Sequence, residues 1–213
     1  MPQDLDDWKP KLLGYAEQAA QDDGAHDLNH LHRVWKTAQR LLADHPEADA
    51  LVVLAACYLH DIVNLPKNHP ERTQASMMAA RVACAKLEQD GFPVEKLDGV
   101  RHAIEAHSFS AGIAPLTIEA KIVQDADRLD ALGPVGLARL FYTAGRMGSA
   151  LAHPDDALGE HRELDDRAYA LDHIEVKLAK LPASMQTAAA RRLGEAQLQW
   201  LRGFRDTFIA DWS

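Results

Sequence analysis

Ten consecutive residues, Ala50–Leu59, are apolar without interruption, and the run stops at a histidine followed by an aspartate, His60-Asp61. This stretch constrains the fold more than any other. A segment that is apolar on every side has no face for solvent, so it is expected as a central helix surrounded by other elements. It falls well short of the ~18 residues that a bilayer span requires. An aspartate at the end of such a run is costly to bury unless it is paired or bound to a cation. Imidazole and carboxylate are both good ligands for Mn, Fe, Zn, Ni or Co. The plainer reading is a helix C-terminus at which the histidine caps carbonyls and the aspartate begins a turn.

Helical periodicity dominates the rest of the chain. Leu31, Val34, Ala38 and Leu41 recur at three and four residues, the mark of an amphipathic helix. Ala75 to Glu88 reads as a small-residue helix closed near Gly91. Pro93 opens another, with Leu97, Val100 and Ile104 on one face. Thr117 is a good N-cap for a helix carrying Ile118, Ile122, Ala126 and Leu129. Gly133-Pro134 ends that helix and starts the next, which runs to about Gly148. Residues 149–163 hold Pro, Gly, Asp and His and are expected as a long mobile loop. Two further helices are expected, at about Leu164 to Leu181 and Ser184 to Asp211. No segment alternates as a strand does. The predicted fold is therefore all-α, a helical bundle. With 213 residues, a single domain over 1–213 is expected, its core at about 20–148 and its C-terminal helices at about 164–211.

The formal net charge is −9, which makes the chain a poor general binder of nucleic acid, a task that needs a basic footprint. A small anionic substrate is not excluded, but it needs local cations from a metal or from a few Lys and Arg. Cys57 and Cys84 sit among apolar residues without a CxxC partner and read as buried free thiols of a reducing compartment. The first ten residues lack the basic-then-apolar order of a signal peptide. A cytoplasmic, non-membrane protein is expected.

Three clusters carry candidate chemistry. The first is His60-Asp61. The second holds His26, Asp27, His30, His32 and Arg33 at a helix start. His30 and Arg33 are three apart and share a face beside Leu31 and Val34. His30 is thus a candidate ligand at the core edge, with Arg33 close enough to meet a phosphate; the alternative is surface histidines behind an aspartate N-cap. The third is Gln124 to Asp130. Asp125 and Asp127 lie on opposite sides of a helix, and Asp127 is the better candidate for a buried carboxylate, while a solvated acidic face suits Asp125. His107 ends the stripe Leu97, Val100, Ile104, His107. It is a candidate to orient substrate, donate a proton or help hold a second metal, or else a satisfied core histidine.

Together these clusters extend into longer phrases: His26-Asp-x-x-His30-x-x-Arg-Val34, Leu59-His-Asp-Ile62, Glu105-Ala-His-Ser-Phe-Ser-Ala-Gly-Ile113 and Glu119-Ala-Lys-Ile-Val-Gln-Asp-Ala-Asp-Arg-Leu-Asp-Ala-Leu-Gly133. In these phrases, over about residues 20 to 205, the chain resembles the HD-domain superfamily of phosphohydrolases, and within it a small bacterial branch of nucleotide pyrophosphohydrolases. The resemblance implies an HD-type helical bundle in which His30, His60, Asp61 and Asp127 bind one divalent metal, with Mn expected first and Mg, Fe, Ni, Co or Zn as alternatives. It implies hydrolysis of a (deoxy)nucleoside triphosphate to monophosphate and pyrophosphate by attack of a metal-bound water. The alternatives are a phosphomonoesterase or phosphodiesterase acting on another small phosphate ester, and a non-catalytic nucleotide-binding module. Asp61, Arg33, Lys67, Arg72, His107 and Arg128 are the candidate catalytic residues, the four cations to neutralise developing charge. Guanosine-tetraphosphate hydrolases of the superfamily follow His-Asp with two acids; Ile62-Val63-Asn64-Leu65 has none, which argues against that substrate.

Overall fold

The computed structural model describes residues 2–19, 27–63, 65, 69–108 and 110–212. Its regular structure is helical: α1 (Pro2–Ala19), α2 (Leu28–Leu42), α3 (Ala50–Leu59), α4 (Ala75–Gln89), α5 (Leu97–His107), α6 (Ile118–Asp130), α7 (Gly133–Met147), the short α8 (His173–Val176) and α9 (Ala188–Trp212). Among the described residues the only strand-like feature is an isolated bridge between Ala150 and Tyr169, so the chain is all-α, as the periodicity predicts. No helix among them is long and apolar enough to cross a membrane. The chain divides into two compact units, Met1–Asp127 and Arg128–Ser213.

In the first unit α3 is the centre. Every residue from Leu51 to Leu59 is buried, and α1, α2 and α5 pack around it while α4 packs chiefly on α5. The start of α3 is fixed by Asp49, whose carboxylate accepts from the N–H groups of Leu51 (3.0 Å) and Val52 (3.3 Å), two donors left without partners in a bare helix. Lys96 pairs with the same carboxylate, and Glu119 of α6 accepts from the Asp49 N–H at 2.9 Å. Three elements thus meet at one cap. Helix α1 was given no place by the sequence reading. Its buried stripe is Trp8, Leu12 and Ala16, one residue per turn, with Trp8 edge-on to Phe92 at 4.9 Å. Acids and Pro10 between those positions conceal the period. Thr117 caps α6 as expected, its hydroxyl accepting from the Ala120 N–H at 3.2 Å.

In the second unit α7 is closed by Gly148 at φ +77°, a left-handed residue that glycine adopts without steric cost. Helix α9 carries Trp200, Phe204, Phe208 and Trp212 at four-residue spacing, with successive centroids 6.4, 6.0 and 5.3 Å apart; the outer two pairs are stacked and the middle pair is tilted by 41°. Phe141 of α7 packs on Phe204 and Phe208.

One sequence expectation changes here. The helix expected over 164–181 is mostly absent: α8 has four residues and is followed by short 3-10 turns at 178–180 and 182–184. The aspartates explain it. Asp165 accepts from the Arg167 and Ala168 N–H groups (3.0 and 3.1 Å), and such local bonds compete with the helix ladder. Residues 149–163 form a loop, as expected, and it is laced by hydrogen bonds. Ala150 N–H donates to Ala168 (2.9 Å) and Ala170 N–H to Ala150 (2.8 Å). Asp156 accepts from the Glu160 and His161 N–H groups, each at 2.9 Å. Arg162 forms a two-pronged pair with buried Asp172 at 2.6 and 2.8 Å.

Candidate metal centre

Three helices of the first unit deliver side chains to one point. On α2 the delivery begins with Asp27, the N-cap, whose carboxylate accepts from the His30 N–H at 3.0 Å. Burial works against ionisation of Asp27, but the Asn29 amide, the His30 N–H and the Arg33 charge outweigh it and hold the carboxyl below the ordinary aspartate value. The cap therefore sets the first turn of α2 and, with it, the position of His30. On α3 the helical spiral continues through His60, whose N–H still reaches Ala56 at 2.9 Å. Asp61 then sits in the turn. On α6 Asp127 is one turn beyond buried Val123.

The donor atoms converge. His30 Nε2 lies 3.3 Å from His60 Nε2 and 3.5 Å from Asp127 Oδ1. His60 Nε2 lies 3.5 Å from Asp61 Oδ2 and 3.8 Å from Asp127 Oδ1. His30 Nε2 to Asp61 Oδ2 is 3.9 Å. Ligands about 2.1 Å from one ion stand about 3.4 Å apart at the tetrahedral angle and about 3.0 Å apart at right angles, so these spacings fit a shared cation.

Proton positions support the same fit. His60 Nδ1 is 3.0 Å from the Cys57 carbonyl. A carbonyl only accepts, so Nδ1–H donates and Nε2 presents its lone pair to the cluster. A partner on the far nitrogen that fixes the tautomer is the usual support of a metal-binding histidine. Burial is one-sided: the His30 and His60 side chains are 1% and 0% exposed, those of Asp61 and Asp127 22% and 28%. Nitrogen donors close the inner side, and the carboxylates border water, where further ligands can enter. The cluster is thus one of mixed N and O donors able to hold a divalent metal, with His30, His60 and Asp127 as one group of three and His60, Asp61 and His107 as another.

His107 is brought in from the C-terminal end of α5. Its ring is 4.7 Å from that of His60, and its Nε2 is 3.8 Å from Asp61 Oδ1. Its Nδ1–H donates to the Ile104 carbonyl at 2.5 Å, so here too Nε2 carries the lone pair. Burial first, then the nearness of His60, hold its pKa below the ordinary histidine value against the opposing pull of Asp61 and Asp127. The neutral ring is an acceptor at Nε2, which disfavours the proton-donor role considered from sequence. Cys57 lies behind the cluster; burial, with the charge of Asp127, pushes its thiol up, and it stays protonated.

The candidate cations are placed differently. Arg33 is half-buried on α2, one turn from His30. Arg72 donates Nη1–H to the Leu65 carbonyl at 2.6 Å. Arg128, in the second unit, donates to the Ser184 carbonyl (2.9 Å) and hydroxyl (3.0 Å). Lys67 lies outside the described residues, as does His26. His102 accepts from the Leu116 N–H at 2.9 Å, a loop contact. Asp125 requires a correction. It is not on a solvated face but fully buried, at 0% exposure. Facing away from Asp127 does not mean facing water, because α6 is enclosed on more than one side: Ala120, Ile122, Val123, Gln124, Asp125 and Ala126 are all buried. Gln124, which the sequence reading passed over, donates to the Ala106 carbonyl at 2.6 Å.

Comparison with known proteins agrees with this geometry. The HD domain profile matches residues 27–132. The uncharacterised protein YpgQ of Bacillus subtilis (strain 168) is 32% identical over 187 residues, 86% of this chain and 82% of that protein. The crystal structure of B. subtilis YpgQ in complex with ADP superposes with TM-score 0.72, at 28% identity, over 98% of this chain and 95% of that one. A Lactobacillus plantarum protein gives TM-score 0.74 at 31% identity, covering 100% of this chain and 98% of that one. An HD-superfamily hydrolase from Bacillus thuringiensis gives TM-score 0.74 at 28% identity, covering 98% of each chain. With the profile, the relatives and the His/Asp cluster in accord, the chain belongs to the HD-domain superfamily.

Proposed function

We propose that this protein is a metal-dependent phosphohydrolase that converts a (deoxy)nucleoside triphosphate to its monophosphate and pyrophosphate. The observation that carries the reading is the cluster itself: two buried imidazole nitrogens 3.3 Å apart, each within 3.5–3.9 Å of an oxygen of two water-facing carboxylates. His30, His60, Asp61 and Asp127 would hold one divalent ion, Mn²⁺ in this reading. Such an ion lowers the pKa of a coordinated water and polarises a phosphoryl oxygen. The ADP complex of YpgQ supports a nucleotide as ligand, and the hydrolase name of the B. thuringiensis relative supports hydrolysis.

The chain's own residues then divide the remaining work. Water adds its oxygen to the α-phosphorus, the bond to the bridging oxygen breaks, and pyrophosphate leaves with the electron pair. Asp61 turns one oxygen to the histidine pair and the other to His107, and in this reading it takes the water's proton. His107 presents a lone pair and so orients a donor group. Arg33 is the foremost cation for the substrate's phosphates, followed by Arg72 and by Lys67, which come soon after the His-Asp pair in sequence. Arg128 is spent on Ser184 and is read as an anchor. The whole chain is read as serving this reaction as one HD-type domain in the cytoplasm, consistent with relatives that match it nearly end to end.

The test is a panel of nucleoside mono-, di- and triphosphates with Mn²⁺, Mg²⁺, Co²⁺, Ni²⁺ and Zn²⁺, with the released product identified. Pyrophosphate from triphosphates is the expected result. Orthophosphate as the sole product would turn the assignment to a phosphomonoesterase, and no turnover with any pair would overturn it.

A further inference from the structure

A helix leaves its last four carbonyls without internal donors. At the end of α5 two of these are taken in an unusual way. The Ile104 carbonyl accepts from the imidazole of His107 itself. The Ala106 carbonyl accepts from the side-chain amide of Gln124, one turn before Asp127 on α6, at 2.6 Å. Gln124 is 2% exposed and His107 7%. The ring of His107 is therefore tied to its own helix end, and that helix end is tied to the helix that carries Asp127. The Ala106 carbonyl belongs to the peptide that leads into His107, so a shift of this bond moves the backbone of His107 directly.

We propose that Gln124 is a positioning residue: it sets the distance between His107 and the Asp61–His60 pair by clamping the end of α5 to α6. Because His107 faces Asp61, this role rests on the catalytic reading of the cluster. An apolar side chain at 124 leaves the Ala106 carbonyl short of a donor, and the end of α5 relaxes toward whatever donor it can reach. Small misplacements of a reacting group cost up to about a hundredfold in rate.

The experiment uses the full chain in three variants, Q124M, H107A and the double Q124M/H107A, with helix content checked by circular dichroism. Q124M is expected to lower kcat about tenfold or more, with KM and the bound Mn²⁺ stoichiometry unchanged. In the H107A background Q124M is expected to cost nothing further, since a residue that acts through His107 has no effect once the ring is gone. Additive losses in the double variant, or loss of metal in Q124M, would overturn the proposal. A readout independent of turnover is the hydrogen exchange of the His107 Nδ1–H, followed by NMR in metal-free protein. Exchange is expected to be slow in the wild type and at least tenfold faster in Q124M, and equal rates would sink the idea. If the wild type hydrolyses no nucleotide, the catalytic reading fails while the exchange measurement still decides the clamp. Should Q124M not fold, Q124N, which keeps a buried amide but withdraws its reach by one methylene, carries the same measurements.

Discussion

The carboxylates of α6 separate two kinds of burial at the scale of single residues. Asp127 is partly open and aims at two imidazoles, whereas Asp125 is sealed inside the helix packing. Their substitutions should therefore fail differently. His60→Ala or Asp127→Ala is expected to lose tight metal binding and turnover while helix content stays, as measured by metal analysis and circular dichroism. Asp125→Ala is expected to lower the stability itself, on the order of 2 kcal/mol, because removing a fully buried polar side chain leaves the buried groups around it short of a hydrogen-bond partner. Denaturant titration checks this, and wild-type stability in Asp125→Ala would contradict it. That His30, His60, Asp61 and Asp127 belong together was legible through the resemblance of the phrases that carry them, because residue by residue a helix cap or a solvated face read as well. The burial of Asp125 was not, since helical phase says which way a residue points and not what stands there. Gln124 escaped notice for a related reason: an amide has no chemistry that marks it until its carbonyl partner is known.

At the scale of elements, the cap of α3 is the most exposed point of the first unit to mutation. Asp49→Ala is expected to cost about 1 kcal/mol, the usual worth of an N-cap. The cost should depend on pH. Burial opposes ionisation of Asp49, but Lys96 and the N–H groups of Val52 and Leu51 outweigh it and hold its carboxyl below the ordinary value. A carboxyl depressed in the folded state stabilises fully above its unfolded pKa, near 4, and that contribution is lost as pH falls through the folded value. The stability gap between wild type and Asp49→Ala should thus be full at pH 7 and shrink below about pH 4; a gap that widens in acid would contradict the assignment. The helices that could be read from sequence, α2 to α7 and α9, have clean stripes or clear stops. The two misreadings have local causes. The period of α1 is diluted by acids and Pro10, and the expected helix at 164–181 is undone by aspartates that bond to nearby N–H groups.

At the scale of the whole molecule, the two units differ in what holds them. The first is built on an apolar helix, while the second adds polar lacing between 149 and 172 to its aromatic ladder. Composition alone suggested mobility there because Pro, Gly and Asp are common to open loops and to tightly bonded ones. Asp172 decides between these, accepting from both Arg162 nitrogens and from the Asp165 N–H at 2.7 Å. Amides of the Ala150–Leu171 segment are expected to exchange slowly in the wild type and about tenfold faster in Asp172→Asn, which weakens the acceptor without changing its shape. Fast exchange in the wild type would show that the lacing does not persist in solution.

The distribution of tryptophan gives each unit its own optical signal. Trp8 and Trp35, in the first, are 8% and 6% exposed; Trp200 and Trp212, at the two ends of the aromatic ladder, are 45% and 38% exposed. Iodide in the surrounding water can reach the second pair and not the first. The quenched fraction of the emission therefore reports on residues 128–213 and the protected fraction on residues 1–127. Unfolding followed in both fractions at once shows whether the units melt together, without a label or a cut in the chain.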